Sequence, residues 1–442
     1  MKRIISVICA FLFTLPAFVG CGRNDSLLDP KNPVTLTMWH VYGEQAASPM
    51  DKFVDEFNST VGKERGIVIN DAGKSNASEI GEKLLNARNG VAGAPSMPDL
   101  FFCHASNAEE LGAETLIDWK ELFTQSELDE FSTSFLKDGL VGDRLSVLPV
   151  SKSTHLLFLA SGVFERFAKK SRVTYDDLKT WDGFLTVAKK YYELTGKPFC
   201  AFDYIIRSTE LDAMSRGATD FYSENSWYKN NDVLLSSFTK FANAIAKGHI
   251  IVSDKYSNTQ VMTGQTVAGI SSSAAVLYYN DRITYEDNTS ELVKLKAFPV
   301  PQSGVGENYA TQAGVGLCAN KTTAQKAEAA LVFAKWFTEA KRNLDFVAQT
   351  GYMPVKNGAF DNLEGYAFKT EAFKNTYLAM KSTKESCVFV SEPSIKGYYN
   401  KTYALYNGIR NIQNDLEDKY KQGETEQTIT KEIVDLFLSV GN

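Results

Sequence analysis

The residues in this chain that could do covalent or metal chemistry are not spaced to form a reaction centre. Gly73-Lys74-Ser75 has the ending of a phosphate loop, G-x-x-x-x-G-K-[ST]. The position of its first glycine is Val68, inside the strand-like run Gly66-Ile67-Val68-Ile69, so a nucleotide site is rejected. The four histidines, His40, His104, His155 and His249, lie far apart, without metal-ligand spacing. There is no G-x-S-x-G, no H-E-x-x-H and no glycine-rich dinucleotide fingerprint. A solvated surface accounts for the 53 acidic residues, although the two carboxylates of a glycosidase can come from any loops. Cys103, Cys200, Cys318 and Cys387 are widely separated with no C-x-x-C, and read as buried thiols rather than a disulfide framework or a redox pair. No metal and no cofactor is expected.

What remains is the chemistry of non-covalent recognition. In Gln349-Thr350-Gly351-Tyr352-Met353-Pro354-Val355 a glycine, an aromatic and a proline fall within four residues. Glycine permits backbone conformations that other residues resist, and proline forbids a helix and pushes Met353 to extended geometry. Tyr352 is thus either a ring presented on a fixed irregular loop or a core tyrosine behind a helix cap. Ser151-Lys152-Ser153-Thr154 interrupts two extended runs, Leu145–Val150 and His155–Leu159, as a crossing between lobes or an ordinary loop would. Gly264–Ala274 reads as a strand ending in a serine loop that holds Ser272 and Ser273. Tyr204, Phe221, Tyr222, Trp227 and Tyr228 make an aromatic-rich middle, able to stack on sugar rings but by default core.

The elements that would position these groups alternate. Val34–His40 is a strand with β-branched, alternating apolar residues, and Met50, Phe53, Val54 and Phe57 follow at helical spacing. A strand leading into a helix opens an α/β unit, and Trp39-His40 stands at the strand end where open α/β sheets carry ligands. Met97–Phe102 is another strand, with Cys103-His104 in the loop after it. Trp181, Phe184, Leu185, Ala188 and Tyr192 mark a helix, and Trp181 is most simply core. Gly314–Ala319 is a strand, about Thr323 to Thr338 a helix, and Asp415–Tyr420 and Ile429–Leu438 closing helices. With 442 residues, 44% hydrophobic, the chain has ample material for two or three domain-sized units. Its net charge of −6 gives no basic surplus for nucleic acid.

Lys2-Arg3, the apolar run Ile4–Val19 and Gly20-Cys21 read as a secretory signal, too short for a membrane span. A small residue before cysteine resembles a lipoprotein signal cleaved ahead of Cys21. A polar, proline-bearing tether follows to residue 33.

The order of these landmarks resembles the extracellular solute-binding proteins of ABC importers, in the branch that holds glycerophosphate- and maltodextrin-binding proteins. The Gln349–Val355 loop is similar to the T-G-Y-L-P loop of the glycerophosphate binder, whose tyrosine touches ligand. Trp39-His40 resembles F-W-H, and Met97–Leu100 resembles A-P-D-V. Thr180–Lys190 resembles T-W-D-E-L-L-E-A-A-K-K-L, and Lys296–Pro301 resembles G-V-A-P-L-P. The resemblance covers about residues 34 to 440. It implies an α/β fold of two lobes, joined by three crossings, with a ligand cleft between them. The lobes are expected at residues 34–150 with 300–338, and 155–297 with 343–442. The crossings are expected near Ser151–Thr154, Phe298–Pro301 and Glu339–Asn343.

Carried over residue by residue, the resemblance makes Tyr352, Ser153, Ser272 or Ser273, Gly314, Trp39 and His40 ligand contacts. Tyr42, His104, Tyr204 and Tyr399 complete the candidate set. The implied partners are a small solute, ABC permease subunits, and the membrane through a lipid on Cys21. The implied state is an exported, surface-anchored monomer that is not an enzyme. The chain departs from the glycerophosphate binders at three places: a tyrosine near Ala77-Ser78, a glutamate at Ala105 and an arginine near Lys396–Tyr399 are not kept. Without an arginine fork phosphate recognition weakens, and an uncharged sugar or oligosaccharide becomes the expected solute. Glycerophosphodiester binding, a lipid-anchored carbohydrate-active enzyme and a ligand sensor are the alternatives.

Overall fold

The structure, a computed structural model, describes residues 26–44, 48–76, 79–221, 231–253, 256–393, 395 and 397–441. Cys21, the signal segment, and Tyr222, Trp227 and Tyr228 lie outside the described residues. Ten strands build two sheets: β1 (Val34–His40), β2 (Ile67–Lys74), β3 (Leu100–Cys103), β4 (Leu148–Pro149), β5 (His155–Ala160), β6 (Cys200–Phe202), β7 (Ile250–Val252), β8 (Ala268–Ser272), β9 (Leu295–Pro299) and β10 (Gly316–Ala319). The first sheet has the order β2-β1-β3-β10-β4, and the second β9-β5-β8-β6-β7. In the first, β1 pairs in parallel with β2 and β3, while β10 runs antiparallel to β3 and β4. In the second, β8, β6 and β7 are mutually parallel, with β5 and β9 attached antiparallel. Each sheet thus keeps a parallel core whose carboxyl ends share one edge, where such sheets place their ligands. This is the two-lobed α/β architecture expected from the order of landmarks.

Local sequence explains the helices that cover the sheets. Met50, Phe53, Val54 and Phe57 form the buried stripe of the helix Pro49–Ser59, which starts on a proline where no amide is needed. Thr180 caps the helix Trp181–Thr195 by accepting from the Gly183 amide, and Trp181 is buried in the second lobe. Thr323 caps Ala324–Phe337 in the same way. The closing helices are longer than the sequence periodicity indicates, Tyr398–Lys421 and Glu426–Gly441. Strand β5 shows how the sheets share their material. Leu156 and Phe158 face one apolar cluster, Leu157 and Leu159 another, by the two-residue period of a strand.

The first of these clusters runs from the first sheet through Leu344, Phe346, Val347 and Tyr377 to one face of the second sheet. The helix Glu371–Ser386 carries it there, packing on β9 and β5. The second cluster holds the rest of the second lobe and takes in the chain again from Tyr398.

The chain passes between sheets at Val150–Thr154, every residue of which is buried. A buried backbone must find its hydrogen bonds inside the protein. Lys152 exchanges amide and carbonyl with Met353 (3.2 and 2.5 Å), Ser153 does so with Ala313 (2.8 and 3.1 Å), and the Ser273 amide donates to Thr154 O at 2.7 Å. Asn343, fully buried, locks this node. Its Nδ2 donates to Val150 O at 2.7 Å, and its Oδ1 accepts from the Val355 amide at 3.0 Å. Asn343→Ala removes both bonds and strands two buried backbone groups. We expect a loss of roughly 2–4 kcal/mol in chemical denaturation. A change below about 0.5 kcal/mol would show that water replaces the amide freely.

Candidate functional site

A cavity of about 660 Å³ opens at the carboxyl edge of the second sheet, beside the Val150–Thr154 passage. Strand ends, crossings and two helices form its walls. Asp203 and Tyr204 follow β6, Ser272 ends β8, and His155 begins β5 directly opposite Ser272 in the antiparallel register. Ser153 and Ala313 come from the paired crossings, and Tyr352 from the loop after the helix Ala340–Val347. Arg207 reaches in from the helix Ile205–Ser215. The helix Tyr398–Lys421 supplies Tyr398, Tyr399, Thr402, Tyr403, Tyr406 and Arg410, and Tyr256 and Glu392 complete the lining.

The Gly-Tyr-x-Pro loop is positioned by close approach. Gly351 has φ +73°, and a Cβ there would lie 2.9 Å from Ala274 Cα and 3.0 Å from Ser273 O. Only glycine lets this loop rest on the serine loop. Tyr377 then donates its hydroxyl to Tyr352 O at 2.7 Å, and the Tyr352 ring meets Tyr42 edge to face at 6.5 Å.

The charged groups are matched. Arg207 is ion-paired to Glu210 and donates to the Val390 and Ser391 carbonyls at 3.3 and 3.1 Å. Tyr398 donates to the other oxygen of Glu210 at 2.7 Å. Arg410 donates to Asn407 at 2.9 Å, and its buried Nε has no hydrogen-bond partner among the described residues. Burial, opposed by hydrogen bonds from Ser257 and by the charge of Arg410, lifts the Asp203 carboxyl to about 7. Burial also raises Glu392, against the pull of Arg207. His155 is driven down to about 3 by burial and by Arg207, so it is a neutral ring at physiological pH. Tyr204 stacks on it with centroids 5.0 Å apart and planes 10° apart.

Of the residues singled out from sequence, the structure brings Tyr352, Ser153, Ser272, Tyr204 and Tyr399 to this one cavity. Gly314 is next to Ala313, with φ +132° and Ser151 O 3.1 Å from where a Cβ would be. Ser273 is fully buried behind the wall. The other candidates lie elsewhere. Trp39 lines a separate cavity of about 460 Å³ with Gly73, Ile80 and Met97. Tyr42 is buried in the first lobe, bonded to Ser151 Oγ at 2.8 Å. His104 precedes the helix Ala105–Leu111, and burial and the charge of Lys152 lower its pKa, against the pull of Asp138.

His40 belongs to a cluster with ligand spacing that the sequence did not disclose, because Asp51 and Asp71 come from other elements. Its Nε2 lies 3.0 Å from Asp71 Oδ2 and 3.8 Å from Asp51 Oδ1. Its Nδ1 accepts the Tyr42 amide proton at 3.0 Å, so the ring proton sits on Nε2. That tautomer offers a donor to the carboxylates and no lone pair to a metal.

Sequence reasoning passed over His155, Asp203, Arg207, Tyr403, Tyr406 and Arg410. One signal was present: Tyr399, Tyr403, Tyr406 and Arg410 recur at helical spacing within a long helix. Asp203 and His155 had none, since β5, β8 and β6 meet only in the folded sheet.

The sequence profile described as "Bacterial extracellular solute-binding protein" matches residues 52–375. No curated protein sequence matches the chain. Solved structures do. The cyclic α-maltosyl-1,6-maltose binding protein from Arthrobacter globiformis superposes with a TM-score of 0.66 at 15% identity, over 92% of this chain and 99% of that one. The sugar-binding protein MalE from Xanthomonas citri gives 0.67 at 14%, over 92% and 97%. UgpB from Mycobacterium tuberculosis, in complex with glycerophosphocholine, gives 0.60 at 17%, over 92% and 99%.

The raised Asp203 pKa carries a sign. Below the unfolded value of 3.8 the group is protonated in both states. Between 3.8 and about 7 the unfolded chain ionises first, so stability falls as pH rises through that window. Asp203→Asn keeps the oxygen that accepts the Ser257 amide (2.7 Å) without the buried charge. We expect the variant to melt above the wild type at pH 8, with the gain shrinking to nothing near pH 4. An equal difference at both pH values would contradict the assignment.

Proposed function

The chain belongs to the bacterial extracellular solute-binding proteins, and from that premise we propose that it captures a neutral sugar or oligosaccharide between its lobes and hands it to an ABC-type permease. The carrying observation is the lining itself. Seven tyrosines, Tyr204, Tyr256, Tyr352, Tyr398, Tyr399, Tyr403 and Tyr406, surround one cavity together with Ser153, Ser272 and Thr402. Aromatic faces suit the apolar faces of sugar rings, and hydroxyls with carboxylates suit their hydroxyl groups. Arg207 is held in its ion pair with Glu210, and Arg410 stands near Asp203. The lining therefore offers no pair of uncommitted guanidinium groups to a phosphate. The maltose- and cyclic-maltosyl-maltose-type ligands of the structural relatives agree with this reading.

Closure of the lobes around the solute is the expected motion, with the paired crossings as the hinge. Nothing in the lining needs a catalytic role, and we read the protein as a binder rather than an enzyme. We read the mature chain as an exported monomer, at the cell surface or in the periplasm, tethered to the membrane through Cys21. Replacing Cys21 with Ser should abolish palmitate labelling; unchanged labelling would remove the anchor from this account.

A glycerophosphodiester is the second reading, favoured by the unpartnered Arg410 Nε and by the glycerophosphocholine complex of UgpB. A thermal-shift screen of sugars against glycerophosphodiesters separates the two, since a ligand that binds only the folded state raises its melting midpoint. For the sugar that scores best, Tyr352→Ala should weaken calorimetric binding at least about tenfold. Loss of its edge-to-face contact should cost only about 1 kcal/mol in the ligand-free protein. A collapse of ligand-free stability would make Tyr352 a core residue; a midpoint that responds to phosphodiesters alone would replace the sugar.

A further inference from the structure

We propose that Tyr399 and Tyr403 form an outer subsite that stacks on sugar units beyond those held in the inner cavity, so that the natural solute is an oligosaccharide longer than a disaccharide. The inference rests on the sugar reading above and specifies its substrate. Tyr399, Tyr403, Tyr406 and Arg410 follow one another along a single face of the helix Tyr398–Lys421. At 1.5 Å per residue this stripe is about 16 Å long, more than a disaccharide spans.

Exposure grades along the stripe. Tyr406 is 5% exposed, Tyr403 53% and Tyr399 74%. The inner rings have structural work: Tyr406 Oη accepts the Ile206 amide at 3.4 Å, and Tyr398 holds Glu210. The outer pair has none. Among the described residues the hydroxyls of Tyr399 and Tyr403 meet no partner, and their rings stack on each other, 10° from parallel with centroids 6.3 Å apart.

Two rings this exposed contribute little to folding, yet they lie aligned at the mouth of a cavity. Tyr256, 68% exposed, lines the same mouth. Aligned aromatic faces without hydrogen-bond anchors suit a repeating ligand whose successive rings each offer an apolar face. A single compact solute would be satisfied by the inner wall of Ser153, Ser272, Tyr352 and Asp203.

The test is calorimetry on the full-length chain with linear α- and β-linked glucan oligosaccharides, from disaccharide to hexasaccharide. For the wild type we expect affinity to rise with length and level off beyond the tetrasaccharide. The Tyr399→Ala/Tyr403→Ala double variant should lose at least about tenfold for the tetrasaccharide and longer, and less than about twofold for the disaccharide. The Tyr399→Phe/Tyr403→Phe variant keeps the faces and should keep the length dependence. Both pairs are exposed, so unchanged melting midpoints certify folding. Equal weakening at every length would place the pair in the inner site and overturn the proposal, as would no effect at any length. Wild-type protein that binds the disaccharide as tightly as the hexasaccharide would refute the outer subsite while leaving the sugar reading intact. Wild-type protein that binds no member of either series while responding to a phosphodiester would remove both.

Discussion

The backbone of Lys152–Thr154 is buried where the chain passes from one sheet to the other, and its amides and carbonyls have no access to solvent partners. Leaving such groups unpaired costs about 1–3 kcal/mol each. The protein satisfies them with segments drawn from across the sequence: Met353 on one side, Ala313 on the other, Ser273 at the end. Each of these partners is thereby held at the edge of the second sheet. Ser153, Ala313, Ser272 and Tyr352 line the cavity because the passage needs their neighbours. The site is built from the hydrogen-bonding debt of one crossing.

The same region carries charge that only pairing makes tolerable. Lys152, almost wholly buried, is ion-paired to Asp138 and lies 3.3 Å from Gly314 O. Asp138 also accepts the Ser391 hydroxyl, to which Gln312 donates at 2.9 Å. Ser391 O in turn accepts Arg207 from the second lobe. An unpaired member of this chain would be strongly destabilising. The segment around Ser391 is thus tied to both lobes by side chains, where the Val150–Thr154 passage is tied by backbone.

Similarity to proteins at 14–17% identity, over more than nine-tenths of each chain, follows from this construction. Sheet order and crossings rest on backbone pairing and on generic apolar periodicity, which many sequences satisfy. The lining rests on particular side chains at strand ends and on one helix face, and these vary without disturbing the frame. Family membership therefore states what kind of molecule this is, and the tyrosine lining narrows what it holds.

Strands β1, β3 and β10 and the capped helices were legible from sequence, because alternation, helical spacing and capping residues act within a few positions of one another; the two α/β lobes came from the resemblance carried by the order of the landmarks. So was the Gly351-Tyr352-x-Pro354 loop, since glycine allows a turn that other residues resist and proline forbids a helix. The burial of Tyr42, the tautomer of His40 and the stacking of Tyr204 on His155 were not legible. Each depends on the folded path of the chain: Tyr42 meets Ser151, the His40 ring is fixed between the Tyr42 amide and Asp71, and Tyr204 meets His155. The sequence by itself determined the elements and several of the groups that could touch a solute. Only the tertiary structure decided which of them share a cavity, because a side chain's partners are chosen where distant strand ends converge.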